Sequence, residues 1–255
     1  ANGDTAIFDL NGKTETINGL TMNTDGTAII DNTSAVAASL TFGANDSAVS
    51  IGGGVGVYTI QNSGGGALSI NKTGSAASVI PTGVTLAYTG TTGVSGGSLT
   101  IASPLNGTKG LTVTNSGSTL ALTGGITTPS AITSVIVEGG GTLSLLDGAG
   151  NQLSNLTNLQ LGSSGGTMTT LNLNVGDVTS SDMLNTDTLT LLSGGTLGLF
   201  AGNQITFNLT DAGLNGGSTY NLIDVTGGGL TLGALGLGDW LLGATPGGFT
   251  SITLN

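Results

Sequence analysis

Apolar and polar residues alternate in short runs along most of this chain, as in Leu99-Thr100-Ile101, Leu111-Thr112-Val113, Leu120-Ala121-Leu122, Leu171-Asn172-Leu173 and Leu189-Thr190-Leu191. A period of two buries one set of side chains and leaves Thr, Asn or Ser on the other face, the pattern of a half-buried strand. Such runs return about every ten residues: Thr5–Leu10, Thr16–Met22, Thr27–Ile30, Ser39–Phe42, Tyr58–Ile60, Ala67–Ile70, Val84–Tyr88, Ser98–Ile101, Leu111–Thr114, Thr119–Leu122, Ser134–Val137, Thr142–Leu145, Leu156–Leu161, Thr170–Leu173, Thr188–Leu191 and Gln204–Leu209. Between them lie Gly-rich punctuators such as Gly52-Gly53-Gly54, Gly64-Gly65-Gly66, Gly139-Gly140-Gly141 and Asn215-Gly216. Glycine supplies the positive φ that sharp corners need. Helical periodicity of useful length is nearly missing, and Glu, Lys, Arg and Gln are scarce. The pattern predicts an almost entirely β fold.

A sandwich, a barrel and a solenoid all use many short strands, and the repeat separates them. A unit of apolar-Thr-apolar, a few polar residues and a Gly-rich corner recurs without long loops, which a solenoid stacks into a narrow continuous core. The reading is a right-handed parallel β-helix, with a β-sandwich as the alternative. At about 25 residues per coil the chain makes roughly ten coils, a rod of roughly 50 Å at about 4.8 Å per rung. Residues 1–255 read as one elongated domain. A C-terminal subregion starts near Asp182, where Leu189–Phe207 is denser in Leu, Tyr220–Val225 reads as a strand, and Leu230–Leu242 is a Gly-Leu run with the sole tryptophan, Trp240.

Composition narrows the chemistry. The chain has three Lys or Arg in total, no His and no Cys beside 48 Gly, and its formal charge is −11. Groups that move protons or attack carbon are usually His, Cys, Lys or paired carboxylates, so the expectation is a protein that is not an enzyme. Lys13, Lys72 and Lys109 cannot form a basic stripe, which argues against nucleic acid as a partner. With 37% hydrophobic and 7% charged residues the chain should fold rather than remain disordered. With 4% aromatics its core must be built from Leu, Ile, Val, Ala and Thr methyls. No apolar run is long enough for a transmembrane helix.

Carboxylates in pairs could still serve sugar chemistry, but the scattered Asp residues read first as turn formers and solvated positions. Calcium is a minor candidate: Asp147-Gly148-Ala149-Gly150-Asn151 is a fragment of a cation loop without the repeated array such loops need. No cofactor is expected. Asn-x-Ser/Thr sites stand at Asn32, Asn45, Asn71, Asn106, Asn155 and Asn208, at a frequency chance would produce in so Asn- and Thr-rich a chain.

Phe8-Asp9-Leu10-Asn11-Gly12-Lys13 followed by Ile17-Asn18-Gly19-Leu20 resembles the opening of autotransporter-associated β-strand repeats of bacterial surface proteins. Gly141-Thr142-Leu143-Ser144-Leu145 and Gly195-Thr196-Leu197 are similar to that family's Gly-Thr-Leu rungs, and Tyr220–Asp224 to its Tyr-x-Leu-Ile-Asp strand. The resemblance implies a right-handed β-helix, export to the cell surface or beyond, and work as a stalk, adhesin or surface layer. The family's translocator barrel has no counterpart before Asn255.

Solenoids expose strand edges and an open core at their ends unless a cap covers them. No capping helix is visible at either end here, and Ala6-Ile7-Phe8-Asp9-Leu10 and Phe249–Leu254 look fit to pair. An uncapped rod with matching ends adds head to tail, and a heterologous contact that does not close gives a filament. The expected partner is therefore another copy of this chain. Interface candidates are Ala6, Phe8 and Leu10 at one end, and Leu235, Leu237, Trp240, Leu241, Leu242, Phe249, Ile252 and Leu254 at the other. A monomeric adhesin that binds cell-surface glycans is the alternative, with Trp240 and its neighbours folded over the last rung as a plug. A polysaccharide-active enzyme is third.

Overall fold

Every strand pairing among the described residues of the computed structural model is parallel, and within the stack a strand pairs with its counterparts one coil before and one coil after it. The structure describes residues 3–22, 25–47, 49–52, 55–126, 131–147, 152–162, 169–176, 183–191, 205–212, 222–232, 240–243 and 245. The described residues contain no helix. This is a parallel β-helix, and the sandwich alternative, which needs antiparallel strands, is set aside.

The first coils have three sides. Coil one contributes β1 (Thr5–Asp9), β2 (Thr14–Ile17) and β3 (Thr21–Met22), and coil two β4 (Thr27–Asp31), β5 (Ala38–Phe42) and β6 (Ser50–Ile51). Coil three contributes β7 (Val57–Gln61), β8 (Leu68–Lys72) and β9 (Ala77–Ile80), and coil four β10 (Val84–Ala87), β11 (Thr91–Val94) and β12 (Ser98–Ile101). Each coil thus adds one strand to each of three walls, and the first wall is the sheet β1-β4-β7-β10.

Beyond β10 the first wall thins to single bridges, Leu86 to Leu105 and Leu105 to Ile126. The other two walls continue through β13 (Gly110–Val113), β14 (Thr119–Leu122), β15 (Ser134–Val137) and β16 (Thr142–Ser144). Next come β17 (Gln152–Leu156), β18 (Asn158–Leu161), β19 (Thr169–Gly176), β20 (Met183–Leu191), β21 (Ile205–Ala212), β22 (Ile223–Leu232) and β23 (Trp240–Leu242). β17 fills the place in chain order that the first wall holds earlier; β20 pairs with β17, with a register shift between Leu153 and Leu156, then with β18, and on its other edge with β22, with a register shift between Thr186 and Thr188. Among the described residues the third wall holds nine strands, hence nine coils, roughly 40 Å at about 4.8 Å per rung.

Inward residues stack in columns because parallel registry repeats each side chain one rung along. The column Leu99–Leu120–Leu143–Leu171 is fully buried, and Phe207 continues it. Outward positions carry hydroxyls instead, as in the column Ser98–Thr119–Thr142–Thr170–Thr206. Coil length varies widely, from Thr91 to Gly110 in one coil and from Leu189 to Leu230 in another, while the register partners stay one rung apart.

Polar side chains close the corners. Asn32, fully buried, accepts from Gly12 N at 2.8 Å and donates to Val36 O at 2.9 Å and Gly66 O at 2.8 Å, tying together three coils. Around it each coil clasps the next. Asp9 accepts from Thr33 N and Oγ1 at 3.1 and 2.6 Å, Asp31 from Ser63 N and Oγ at 2.9 and 2.8 Å, and Asn62 Oδ1 from Thr89 N at 2.7 Å.

Candidate functional site

The first coil is where the expected contact residues and the open core meet. β1, β2 and β3 each stand last in their sheets, so one edge of each strand faces no other strand among the described residues. Leu10 N donates to Asp31 O and Asp4 O accepts from Thr27 N. The even-numbered residues of β1 therefore direct their main-chain groups to β4, and in a parallel ladder the odd-numbered Thr5, Ile7 and Asp9 direct theirs to the open edge. On β2, Lys13 O accepts from Ser39 N, which leaves Thr14 and Thr16 facing outward by the same rule.

Side chains on this coil head the buried columns. Phe8 is in register with Ile30, Ile60 and Leu86, which are at most 1% exposed, yet Phe8 itself is 37% exposed and its neighbour Ile7 59%. Ala6 heads the Ala28–Tyr58–Val84 column and is exposed. Leu10, by contrast, is 2% exposed and belongs to the core, so of the three N-terminal candidates Ala6 and Phe8 are available for contact. On β2 one head is charged and one apolar: Glu15 stands in register with the buried Leu40 and Ile70, and Ile17 with the buried Phe42, while Lys13 precedes Glu15 by two residues. Sequence reasoning passed over both heads, because only the register reveals that they crown inward columns.

At the other end, Trp240, Leu241 and Leu242 form β23, paired with Ile205, Thr206 and Phe207 as an ordinary rung of the third wall. In this register Leu242 stands opposite Phe207 and Leu241 opposite Thr206. Leu235, Leu237, Phe249, Ile252 and Leu254 lie outside the described residues, as does most of the Asp147–Asn151 segment. β1 to β3 and β22 to β23 sit at opposite ends of the stack. One chain therefore does not bring the two candidate sets together.

Hydrogen bonding sets the electrostatics near this end. The Thr33 hydroxyl, helped by the Thr33 and Asn11 amides, holds the Asp9 carboxyl below the usual carboxylate value. Burial pushes Asp31 up, but the Ser63 amide, Gln61 and the Ser63 hydroxyl outweigh it, so this group is also lowered. One coil further, burial draws Lys72 below the ordinary lysine value, partly offset by Asp46. Asp46 is itself lowered by the Ser75 amide, 2.6 Å from its Oδ1.

On the outer face of the second wall lies a second feature, a shallow open groove of about 370 Å³ without charged lining. Gly93 forms its floor, between Asn71 and Thr112 in the same outward column, with Thr91 and Ser95 at its sides. Among the described residues no three of His, Cys, Asp and Glu gather as a metal site would require.

No protein-family model, curated protein or solved structure matches this chain. The likeness to autotransporter-associated repeats therefore rests on the short motifs themselves.

Proposed function

We propose that this chain works structurally, as the rod-like subunit of an exported bacterial filament or surface stalk, joined end to end through its terminal strands, and that it is not an enzyme. One observation carries the reading: Phe8, at the head of a column otherwise buried, is exposed beside the unpaired edge of β1. An apolar column that ends in solvent beside free main-chain donors and acceptors is a template for another strand. Scattered acids and the formal charge of −11 suit an outer surface kept soluble by mutual repulsion. Negative-stain microscopy of the purified protein near neutral pH, with and without deletion of residues 249–255, tests it. Filaments lost on deletion support joining through residues 249–254, and filaments that survive it move the donor to the strands before them. Short single rods in both samples remove the polymer.

The uncharged groove over Gly93 favours a second reading, a monomeric adhesin that holds a neutral glycan on the lateral face of the rod. Hydroxyls and an amide suit a polyhydroxylated ligand, although a stacking aromatic, usual in sugar sites, is missing from the lining. Retention on immobilised neutral oligosaccharides that is lost in Gly93→Val, with the fold intact, would favour this reading over the first.

A further inference from the structure

From the first coil we infer that the joint is a single-strand addition on β1, donated by β22 of a second copy, and that β2 is closed to it. The inference rests on the end-to-end reading above and specifies its geometry. A coaxial stack of whole coils would cover all three edges at once and bury whatever heads their columns. On β1 those heads are Ala6 and Phe8, both apolar. On β2 Ile17, over Phe42, is apolar, but Glu15 stands over Leu40 and Ile70, which are at most 1% exposed, and Lys13 lies two residues before it.

Inward-pointing charge on an edge strand is a recognised way of blunting it. Burying these two groups would cost their hydration, and pairing them with each other repays that only with good geometry and further hydrogen bonds. The fold shows what a buried lysine needs: Lys72 Nζ donates to three carbonyl oxygens, of Thr73, Gly74 and Gly96. Residues 110–255 contain no Lys or Arg, so the strands at the other end of the stack bring Glu15 no cation. The described strands there, β22 and β23, contain one charged residue, Asp224, an acid like Asp4 and Asp9 at the first coil. A second copy stacked over β2 would thus bring like charge or apolar surface to Glu15.

β1 has no such obstacle, and the chain carries a matching donor. The first half of β22, Ile223 to Val225, extends the line of β17 and β20 that takes the place of the first wall in chain order. β22 pairs with β20 and with no other strand among the described residues. It runs parallel to β20, as every described strand pair does, so a copy placed head to tail offers β1 a strand of the right sense.

Two proline variants separate strand addition from stacking, because Ile7 and Thr16 both point their N–H groups to the open edge and neither donates to its own ladder. Proline is tolerated at such edge positions. With folding verified by circular dichroism, polymers are measured by sedimentation velocity and negative-stain microscopy. Ile7→Pro is expected to abolish polymers, and Thr16→Pro to leave their length distribution unchanged. Because Ile7→Pro protein still carries an intact β22, adding it to wild type below stoichiometry should shorten filaments by capping their growing ends. Loss of polymers in Thr16→Pro as well, or their persistence in Ile7→Pro, would overturn single-strand addition while leaving end-to-end joining in place. If wild-type protein forms no polymer at all, the end-to-end reading fails, and this inference fails with it.

Discussion

Lys72 lies directly in register with Phe42, in the middle of an inward column that runs Ile17, Phe42, Lys72, Val94, Val113, Val137, Leu161. Its side chain is fully buried, and its ammonium donates to Thr73 O at 2.6 Å, Gly74 O at 2.8 Å and Gly96 O at 3.1 Å. The cause is the corner that follows. Gly43 and Gly74 both take positive φ, 83° and 73°, and lie so close that a Cβ on Gly74 would run into Gly43 O. Corners this tight turn carbonyl groups inward, where a main-chain N–H cannot reach all of them and a long flexible cation can.

Lys72→Met tests that account. Methionine restores an apolar column but leaves three inward carbonyls without their donor, and a buried acceptor that loses its partner costs about 1–3 kcal/mol. Chemical denaturation should place the variant lower by about that amount for the cluster as a whole. If methionine is neutral or stabilising, the carbonyls have other donors and the lysine is there for another reason.

Alkaline titration gives the same residue a second signature. Burial holds Lys72 below 10.5 in the folded chain, so between its folded value and 10.5 the unfolded chain binds more protons and stability rises with pH. Tyr88 acts in the opposite sense. Burial raises it above 10.0, against the hydrogen bond to Thr92, so above 10.0 the unfolded chain loses a proton that the folded chain keeps, and stability falls. Unfolding free energy measured from pH 8 to 11 should lose its rising component in Lys72→Met and its falling component in Tyr88→Phe. Curves that superimpose on wild type would show that neither group titrates differently on folding.

Asn32 makes a prediction about modification as well as stability. It opens an Asn-Thr-Ser acceptor site, yet its amide is fully buried and hydrogen bonded on both its nitrogen and its oxygen. In a glycosylating host, peptide mass spectrometry should find Asn32 unmodified while the exposed Asn45 and Asn106 remain open to modification. Asn32→Asp should destabilise by about 1–3 kcal/mol or more, because it sets an acceptor against Val36 O and Gly66 O where a donor stood. Sugar found at Asn32 would mean that this corner opens.

Much of the wall pattern was legible in the sequence, and little of what lies between walls. Ser98–Ile101, Thr119–Leu122 and Ser134–Val137 carry the alternation without interruption and are strands over those bounds. Thr16–Met22, read as one strand, is two, β2 and β3, because the chain turns where Asn18 O accepts from Gly43 N of the next coil. β11 escaped notice since Gly93 and the following Ser95-Gly96-Gly97 look like a turn, and its strand conformation comes from pairing with β8 and β13. The place of Lys72 in a core column and of Glu15 at the head of another depends on register across coils of unequal length. That register is a tertiary property, and local alternation does not encode it.

The acid limb of stability should depend on Asp31. Although burial opposes its charge, three donors from Ser63 and Gln61 hold its carboxyl below 3.8. A lowered carboxylate contributes stability that is complete above its unfolded value and is lost as pH falls through the folded one. Wild type should therefore weaken as pH drops below about 4, and Asp31→Asn should be less stable at neutral pH but less sensitive to acid. Equal slopes in the two proteins would move the acid sensitivity elsewhere.

Three successive glycines predict two different kinds of cost, which tests whether the corners are set by contact or by backbone conformation. Gly65 has φ of 87° with no atom near a would-be Cβ, whereas Gly64 and Gly66 have ordinary φ but face Thr33 O and Val36 O of the preceding coil at distances no Cβ can occupy. Gly65→Ala should cost only the left-handed penalty, about 1–2 kcal/mol, and Gly65→Asn less, since asparagine tolerates that region. Gly66→Ala must push two coils apart at the carbonyl pair that Asn32 holds, so its loss should exceed that of Gly65→Ala and should be accompanied by faster amide exchange at Gly12, whose N–H bonds Asn32. The reverse order would mean that coil spacing at this corner is soft and that conformation, not contact, selects glycine there.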